Sequence, residues 1–298
     1  MTEIWDEKAA LLRDTRGLLH NEDYWRFLVR DVWRIDRAPV RLVDFGCGYG
    51  WAGAFLLPML AEGSSYTGLD RSAPLLEQAR TLFAGLPYPA TFIESDAHRV
   101  PLPDAAFDVA IAHTVLMHLP QPERALGEMI RVTRDGGLVI AVDANRNAIN
   151  ALVHVTETDE QDRTPLSFFQ AMNASVRRRT GVDYNIGMRT PVLMHKAGLV
   201  DVDARVSDAV RHSFPPVDTP EKAQRLRALL AGGLGGYPTD AVSFEQAVDQ
   251  LVSRGADPDA AAAELRREMT TDYRETLAGY HVVQPGLMTI SYGRVRRR

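Results

Sequence analysis

Five short apolar runs recur between residues 40 and 143: VRLVDF, SSYTGLD, ATFIESD, FDVAIAH and GGLVIAVD. Longer segments with helical signals separate them. WAGAFLLPMLAEG reads as a helix kinked near Pro58, APLLEQARTLFAGL as one opened by Pro74, and PERALGEMIRVT as a third. Near-continuous apolar strands that alternate with helices predict a parallel sheet covered on both faces. Ligands of such sheets sit beyond the carboxyl ends of the strands, so the residues that close each run have first claim on function.

The flanks behave differently. NEDYWRFLVRDVWRI spaces Trp25, Leu28, Val29, Val32 and Trp33 along one helix face, with Asn21 as its expected N-cap. After Asp143 the alternation stops. Residues 145–190 read as helical and irregular, TPVLMHKAGL as a helix and VDVDARVSDAV as a strand. Three helical stretches follow between 219 and 280. Thr219-Pro220 opens the first, Ser243 with Gln246 caps the second as a capping box, and Asp257-Pro258 opens the third. LMTISYGRV alternates like a closing strand. The expected organisation is a helical cap over 1–38, a sheet core over 39–144, a lid and acceptor-pocket segment over 145–190 and a return to the core over 191–218. A helical insertion over 219–282 and a last strand with a basic tail over 283–298 complete it.

Composition removes several function classes. With a net charge of −5 and a pI of about 5.9, no global basic field recruits nucleic acid or a membrane surface. The basic clusters at 177–179 and 294–298 read as solvated surface and tail. The single cysteine, Cys47, excludes an internal disulfide and a multi-cysteine metal site. No tight carboxylate–histidine cluster implies a metal. No apolar run approaches the roughly 20 residues a membrane helix needs, and the charged start MTEIWDEKAA lacks a signal-peptide core. A cytoplasmic protein is expected. Nothing in the sequence fixes its oligomeric state.

VDFGCGYGWAG, residues 43–53, places glycines at 46, 48, 50 and 53. A phosphate-cradling loop would need Lys-Ser/Thr after the glycines, where Trp51-Ala52 stands. A dinucleotide-binding bend would carry its third glycine one residue later than Gly50. A tight turn without chemistry is a third reading. A fourth accounts for more residues. Asp44, two positions before Gly46, would repel a pyrophosphate and favour a cation, and the glycines let a ligand lie against backbone. Asp70 closes the second strand, where a carboxylate accepts from ribose hydroxyls. Asp96 closes the third, where it can accept from an adenine amino group. Ammonium, ribose and adenine along three neighbouring strand ends describe S-adenosylmethionine.

VDFGCGYG also resembles motif I, (D/E)-x-G-x-G-x-G, of the class I S-adenosylmethionine-dependent methyltransferases. The likeness continues in order through YTGLDRS, ESDAHRVPLPDAAFDVAIAHTVLMHLPQPERAL and VTRDGGLVIAVD, over about residues 40–145. PLPDAAFDVAIAHTVLMHL is most similar to the bacterial small-molecule branch that includes ubiquinone-biosynthesis-type enzymes. The whole chain is similar to uncharacterised bacilli-type methyltransferases. The resemblance implies a Rossmann-like doubly wound α/β sheet of seven strands, the last antiparallel. It implies Asp44 beside the methionine ammonium, and Gly46, Cys47, Gly48 and Gly50 along the methionyl and ribose parts. Asp70 takes the ribose hydroxyls and Arg71 flanks the adenine. Asp96 faces N6 with the Ala97 N–H toward a ring nitrogen, and His113 stands beside the sulfonium.

His113 is the candidate general base, since an unperturbed imidazole titrates near pH 6.5; lining the pocket without proton transfer is its other reading. The covering segments offer Tyr24, Trp25, Asn145, Asn147, Phe168 and Phe169 to an acceptor. The expected function is methyl transfer to a small molecule, giving S-adenosylhomocysteine. An RNA or protein methyltransferase and a non-methylating adenosyl-ligand protein stay open. The acidic pI, and AHTV where an N-P-P-Y-type tetrapeptide would stand, argue against RNA.

Overall fold

A computed structural model describes residues 19–152, 154–156, 166–229, 256–270 and 281–297, with a few positions between 244 and 252. The strands are β1 (Arg41–Phe45), β2 (Ser65–Asp70), β3 (Ala90–Glu94), β4 (Phe107–His113), β5 (Thr133–Ala144), β6 (His154–Val155), β7 (Val200–Val206), β8 (Val210–Ser213), β9 (Val282–Pro285) and β10 (Met288–Arg294). The helices are α1 (Glu22–Phe27), α2 (Trp51–Leu56), α3 (Ala73–Phe83), α4 (Pro122–Val132), α5 (Arg146–Ala151), α6 (Leu166–Thr180), α7 (Thr190–Lys196), α8 (Pro220–Leu229) and α9 (Pro258–Thr270).

Seven strands form one sheet in the order β3-β2-β1-β4-β5-β10-β7. The five apolar runs make the parallel part, and β10 runs antiparallel to both β5 and β7. This is the Rossmann-like doubly wound sheet with an antiparallel last strand. β1 lies inside it, between β2 and the central strand β4, with Leu42, Val43 and Phe45 at most 1% exposed, because helices cover both faces. The order reverses at β1, between β2 and β4, and a crevice opens there above the strand ends.

Local signals explain most boundaries. Ser72 caps α3 by accepting from the Leu75 N–H, and Pro74 sits in its first turn. α2 gives way to a 3-10 turn, Leu57–Met59, at Pro58. α1 continues as a π-helical stretch, Leu28–Trp33. Its N-cap, Asn21, has extended backbone but makes no side-chain capping bond, which departs from the expectation.

A second sheet, β6-β9-β8, has no counterpart in the sequence reading. β9 lies across the expected boundary at 282/283, and the closing strand itself begins at Met288. Of the three expected helices between 219 and 280, α8 and α9 are present, while the Ser243–Gln246 capping box lies outside the described residues. Among the described residues, no helix is long and apolar enough to cross a membrane.

Candidate active site

The bend after β1 has three left-handed glycines: Gly46 at φ +67°, Gly48 at +55° and Gly50 at +85°. A Cβ on Gly48 would meet nothing within 4 Å, so that face of the bend opens into the crevice. Gly50 is glycine for another reason. Its Cβ would stand 2.9 Å from Phe83 and 3.4 Å from Ala79, against α3, and Gly50 does not line the crevice. It lets α3 pack close to the bend and supplies the N-cap of α2.

The crevice encloses about 1160 Å³, part of it open to solvent. Asp44, Gly46, Cys47 and Gly48 line it from the bend, Asp70 and Arg71 from the end of β2, Asp96 and Ala97 from the end of β3, and His113 from the end of β4. The structure brings these nine expected residues together because four adjacent parallel strands end side by side.

Each carboxylate has a distinct environment. Asp70 Oδ2 accepts the Gly48 N–H at 2.8 Å and Oδ1 the Ser72 N–H at 2.9 Å. Burial raises its pKa above the usual carboxylate range, against the opposing pull of backbone N–H groups of Ser72, Gly48 and Arg71. A carboxylate offers about four acceptor positions, so these two bonds hold it in place and leave capacity for ligand hydroxyls. Asp44, 1% exposed, accepts from the Tyr66 hydroxyl at 2.7 Å. Asp96 is exposed, and Oδ1 takes both the backbone N–H and Nδ1 of His98, at 2.8 and 2.7 Å. The His98 N–H chiefly lowers its pKa, which keeps it ionised as an acceptor. Burial pushes the Cys47 thiol well up, and the carboxylates of Asp44 and Asp70 add to this, so Cys47 is a packed thiol rather than a nucleophile.

His113 has a partner that the sequence reading missed. His20 Nε2 lies 2.7 Å from His113 Nε2, and both residues are 5% exposed. Trp51 flanks both rings, at 5.9 Å from His20 and 5.1 Å from His113. One Nε2 must donate and the other accept, so the tautomers are interlocked. A neutral pair has one Nδ1 carrying hydrogen and the other offering a lone pair. His98 and Trp51 are among the further wall residues to which the sequence assigns no role. Their loop and helix-start positions carry no periodic signal, and the His20 contact spans 93 residues.

The acceptor-side expectations fall elsewhere. Trp25, 1% exposed, packs edge-on against Trp33, Phe55 and His20, so it backs the histidine pair from the core instead of lining the crevice. Tyr24 is half-buried, stacked with Phe27, and likewise off the crevice wall. Asn145 caps α5 by accepting from Ala148 N–H, and Asn147 is bonded to Asn185 and Asn173. Both asparagines hold the segment after β5 together. Phe168 and Phe169 belong to α6, and their side chains lie outside the described residues. Among the described residues no group of three or more His, Cys, Asp or Glu is placed to hold a metal.

Comparison with known proteins agrees with this geometry. The family described as "Methyltransferase domain" matches residues 43–141. A demethylmenaquinone methyltransferase of Desulfitobacterium hafniense is 36% identical over 152 residues, 46% of this chain and 60% of that protein. A phosphatidylethanolamine N-methyltransferase of Cereibacter sphaeroides is 33% identical over 105 residues, 35% of this chain and 50% of that protein. The chain thus spans between half and three-fifths of these two relatives. The solved structure of the [4+2]-cyclase SpnF shares the fold, with a TM-score of 0.51 at 18% identity, over 98% of this chain and 94% of that one.

Proposed function

With the methyltransferase-domain match at residues 43–141 as the premise, we propose that the chain is a class I S-adenosylmethionine-dependent methyltransferase that methylates a small-molecule acceptor and releases S-adenosylhomocysteine. The observation that carries the proposal is the open face of Gly48 directly above the carboxylate of Asp70. A ligand can lie on bare backbone there while its hydroxyls reach a fixed acceptor. Asp70 would hold the ribose, with Arg71 beside the adenine. Asp96 and the Ala97 N–H would hold the adenine edge, and Asp44, beneath the bend, would face the ammonium. When bound, S-adenosylmethionine supplies an electrophilic methyl on a very good neutral leaving group. The protein's work is then mainly alignment and exclusion of water. Where the acceptor is a hydroxyl, His113 takes its proton. His20 holds the imidazole in one orientation and fixes which nitrogen is available.

The fold alone leaves the reaction open, as a cyclase on the same fold illustrates. Calorimetric titration with S-adenosylmethionine and S-adenosylhomocysteine tests the donor. Binding is expected, and Asp70→Ala should weaken it by about 1–3 kcal/mol, since a charged acceptor loses its hydroxyl partners. No binding, or equal affinity in the variant, rejects the donor assignment. Labelled donor offered with metabolite extract, bulk RNA and bulk protein tests the acceptor. Label confined to small molecules is expected, and label in RNA or protein overturns that part.

A further inference from the structure

A hollow at the far end of the large sheet gathers arginines that the donor crevice does not use. It opens where β1, β4 and β5 begin and β10 ends, and it encloses about 510 Å³, part of it open to solvent. Val40 and Val109 line it at one end of β1 and β4, while Gly46 and His113 line the crevice at the other, so the strands separate the two. Arg34, Arg37, Arg134 and Arg294 stand around the hollow with one carboxylate, Asp108. Four guanidiniums and one carboxylate give this wall a net charge of +3, on a chain whose net charge is −5. Neither Asp36 nor Asp135, the acidic neighbours in sequence, lies on the wall.

Asp108 is already shared. Its Oδ1 accepts from Arg134 Nε at 2.6 Å, and its Oδ2 accepts the Arg41 backbone N–H and Nε at 2.8 and 3.1 Å. Arg294 donates to the carbonyls of Gly136 and Trp33 at 3.0 and 2.9 Å, which satisfy its N–H groups without neutralising its charge. The run at 294–298, expected as a solvated tail, is thus fastened at Arg294, and again at Arg297, whose Nη2 donates to the carbonyls of Arg131 and Thr133. Arg34 and Arg37 are exposed, and among the described residues neither side chain makes a hydrogen bond or an ion pair. Arg34 also ends the π-helical stretch at φ +56° and ψ +45°. Glycine adopts that left-handed conformation freely and arginine does not, so this guanidinium is kept at a cost in local stability.

Like charges around one concavity repel, and an anion seated among them reverses the effect. Arg134 and Arg294 are held in place by their bonds, which lowers the cost of binding, while Arg34 and Arg37 have donors to spare. Guanidinium forks on several sides of a hollow match a group with many oxygens better than a single carboxylate. A concave wall suits a compact anion more than the flat surface of a bilayer. We propose that this hollow binds the phosphoryl groups of a soluble phosphorylated molecule, at a site separate from the donor crevice. It stands or falls independently of the donor assignment.

Thermal unfolding of the full chain in inorganic pyrophosphate, against chloride at equal ionic strength, tests the site. Pyrophosphate is expected to raise the Tm, with or without excess S-adenosylhomocysteine. Arg37→Gln should weaken pyrophosphate about tenfold, whereas Arg178→Gln, which removes the same charge from an exposed position on α6, should leave it unchanged. Arg34→Gly should raise the Tm in chloride and yet lessen the rise that pyrophosphate gives, opposite signs that a purely structural role would not produce. No rise over chloride in the wild type, or equal losses in Arg37→Gln and Arg178→Gln, overturns the proposal. A rise abolished by S-adenosylhomocysteine puts the anion in the crevice and overturns it too. Sedimentation with phosphatidylglycerol vesicles is the second arm: capture by vesicles without a pyrophosphate effect makes this pole a lipid surface and rejects the free anion. Failure of S-adenosylhomocysteine to bind in the calorimetric titration removes the donor assignment alone.

Discussion

His113 and His20 share one hydrogen between their Nε2 atoms, so the two residues should behave as a unit with unequal roles. If His113 takes the acceptor's proton, His113→Ala should lower kcat about 10²–10⁴-fold with S-adenosylhomocysteine affinity held. His20→Ala should lower it less, and His20→Gln, which can still bond to Nε2, should keep more of the rate than His20→Ala. Equal turnover in wild type and His113→Ala with the true acceptor removes the base. The asymmetry in what the sequence reveals follows from the same geometry. Asp44, Asp70 and Asp96 were legible because parallel strands end at one level, so position along a run predicts position in space. His20 stands ahead of α1, outside any periodic element, and only folding brings it to His113. Gly50 carries a second constraint that its motif position does not announce: its surroundings give it a packing role against Phe83.

Elements were legible where one strand or helix carried its own signal. β1, β2, β4 and much of β5 are buried on both faces or nearly so, and their apolar runs stand out; the edge strand β3 is only partly buried, and its short apolar run stands out by its place in the alternation. β6, β8 and β9 are two to four residues long, and β6 finds β9 across more than a hundred residues, as in the pair His154 and Val283. VRHS and VVQP have neither length nor alternation enough to announce a strand. One strut between elements is testable. Glu128 on α4 accepts from Arg131 Nε and Nη2 at 2.7 and 2.8 Å and from the Val100 N–H at 2.8 Å, while Arg131 also bonds the Val100 and Leu102 carbonyls. This fastens the loop that follows Ser95–His98 to the helix. The Arg131 bonds chiefly lower the Glu128 pKa. A carboxylate depressed in the folded state stabilises fully above its unfolded pKa of about 4.3, and that contribution is lost as pH falls through the lower folded value. Glu128→Gln should therefore cost about 1–2 kcal/mol at neutral pH, after allowance for solvent, and should show a shallower loss of stability on acidification. Urea midpoints at pH 7 and below pH 4 check this; parallel curves for the two proteins reject the strut.

At the scale of the molecule, the order β3-β2-β1-β4-β5-β10-β7 places the closing strand between two strands that come long before it. β10 pairs with β5 along seven residues, Met288 to Arg294, and with β7 on its other side. Its ends tie further segments together. Arg294 donates to the carbonyls of Gly136 and Trp33, and the Tyr292 ring meets Trp33, so the cap carrying α1 is fixed to the same strand. β10 thus joins strands that precede it by many residues, and the π-helical stretch that ends at Trp33 is tied to it. A cavity in β10 should therefore weaken the whole rather than one edge. Ile290 is fully buried between Val142 and Arg205 in the ladder, and Ile290→Ala should cost about 2–5 kcal/mol in a single urea transition. S-adenosylhomocysteine at about 100 times its Kd should restore about 2.7 kcal/mol to variant and wild type alike, because the crevice at β1 to β4 binds only in the folded state. A near-wild-type midpoint would mean that β10 is not an integral strand. Two transitions, with the ligand shifting only one, would mean that the donor crevice folds independently of the strand that closes the sheet.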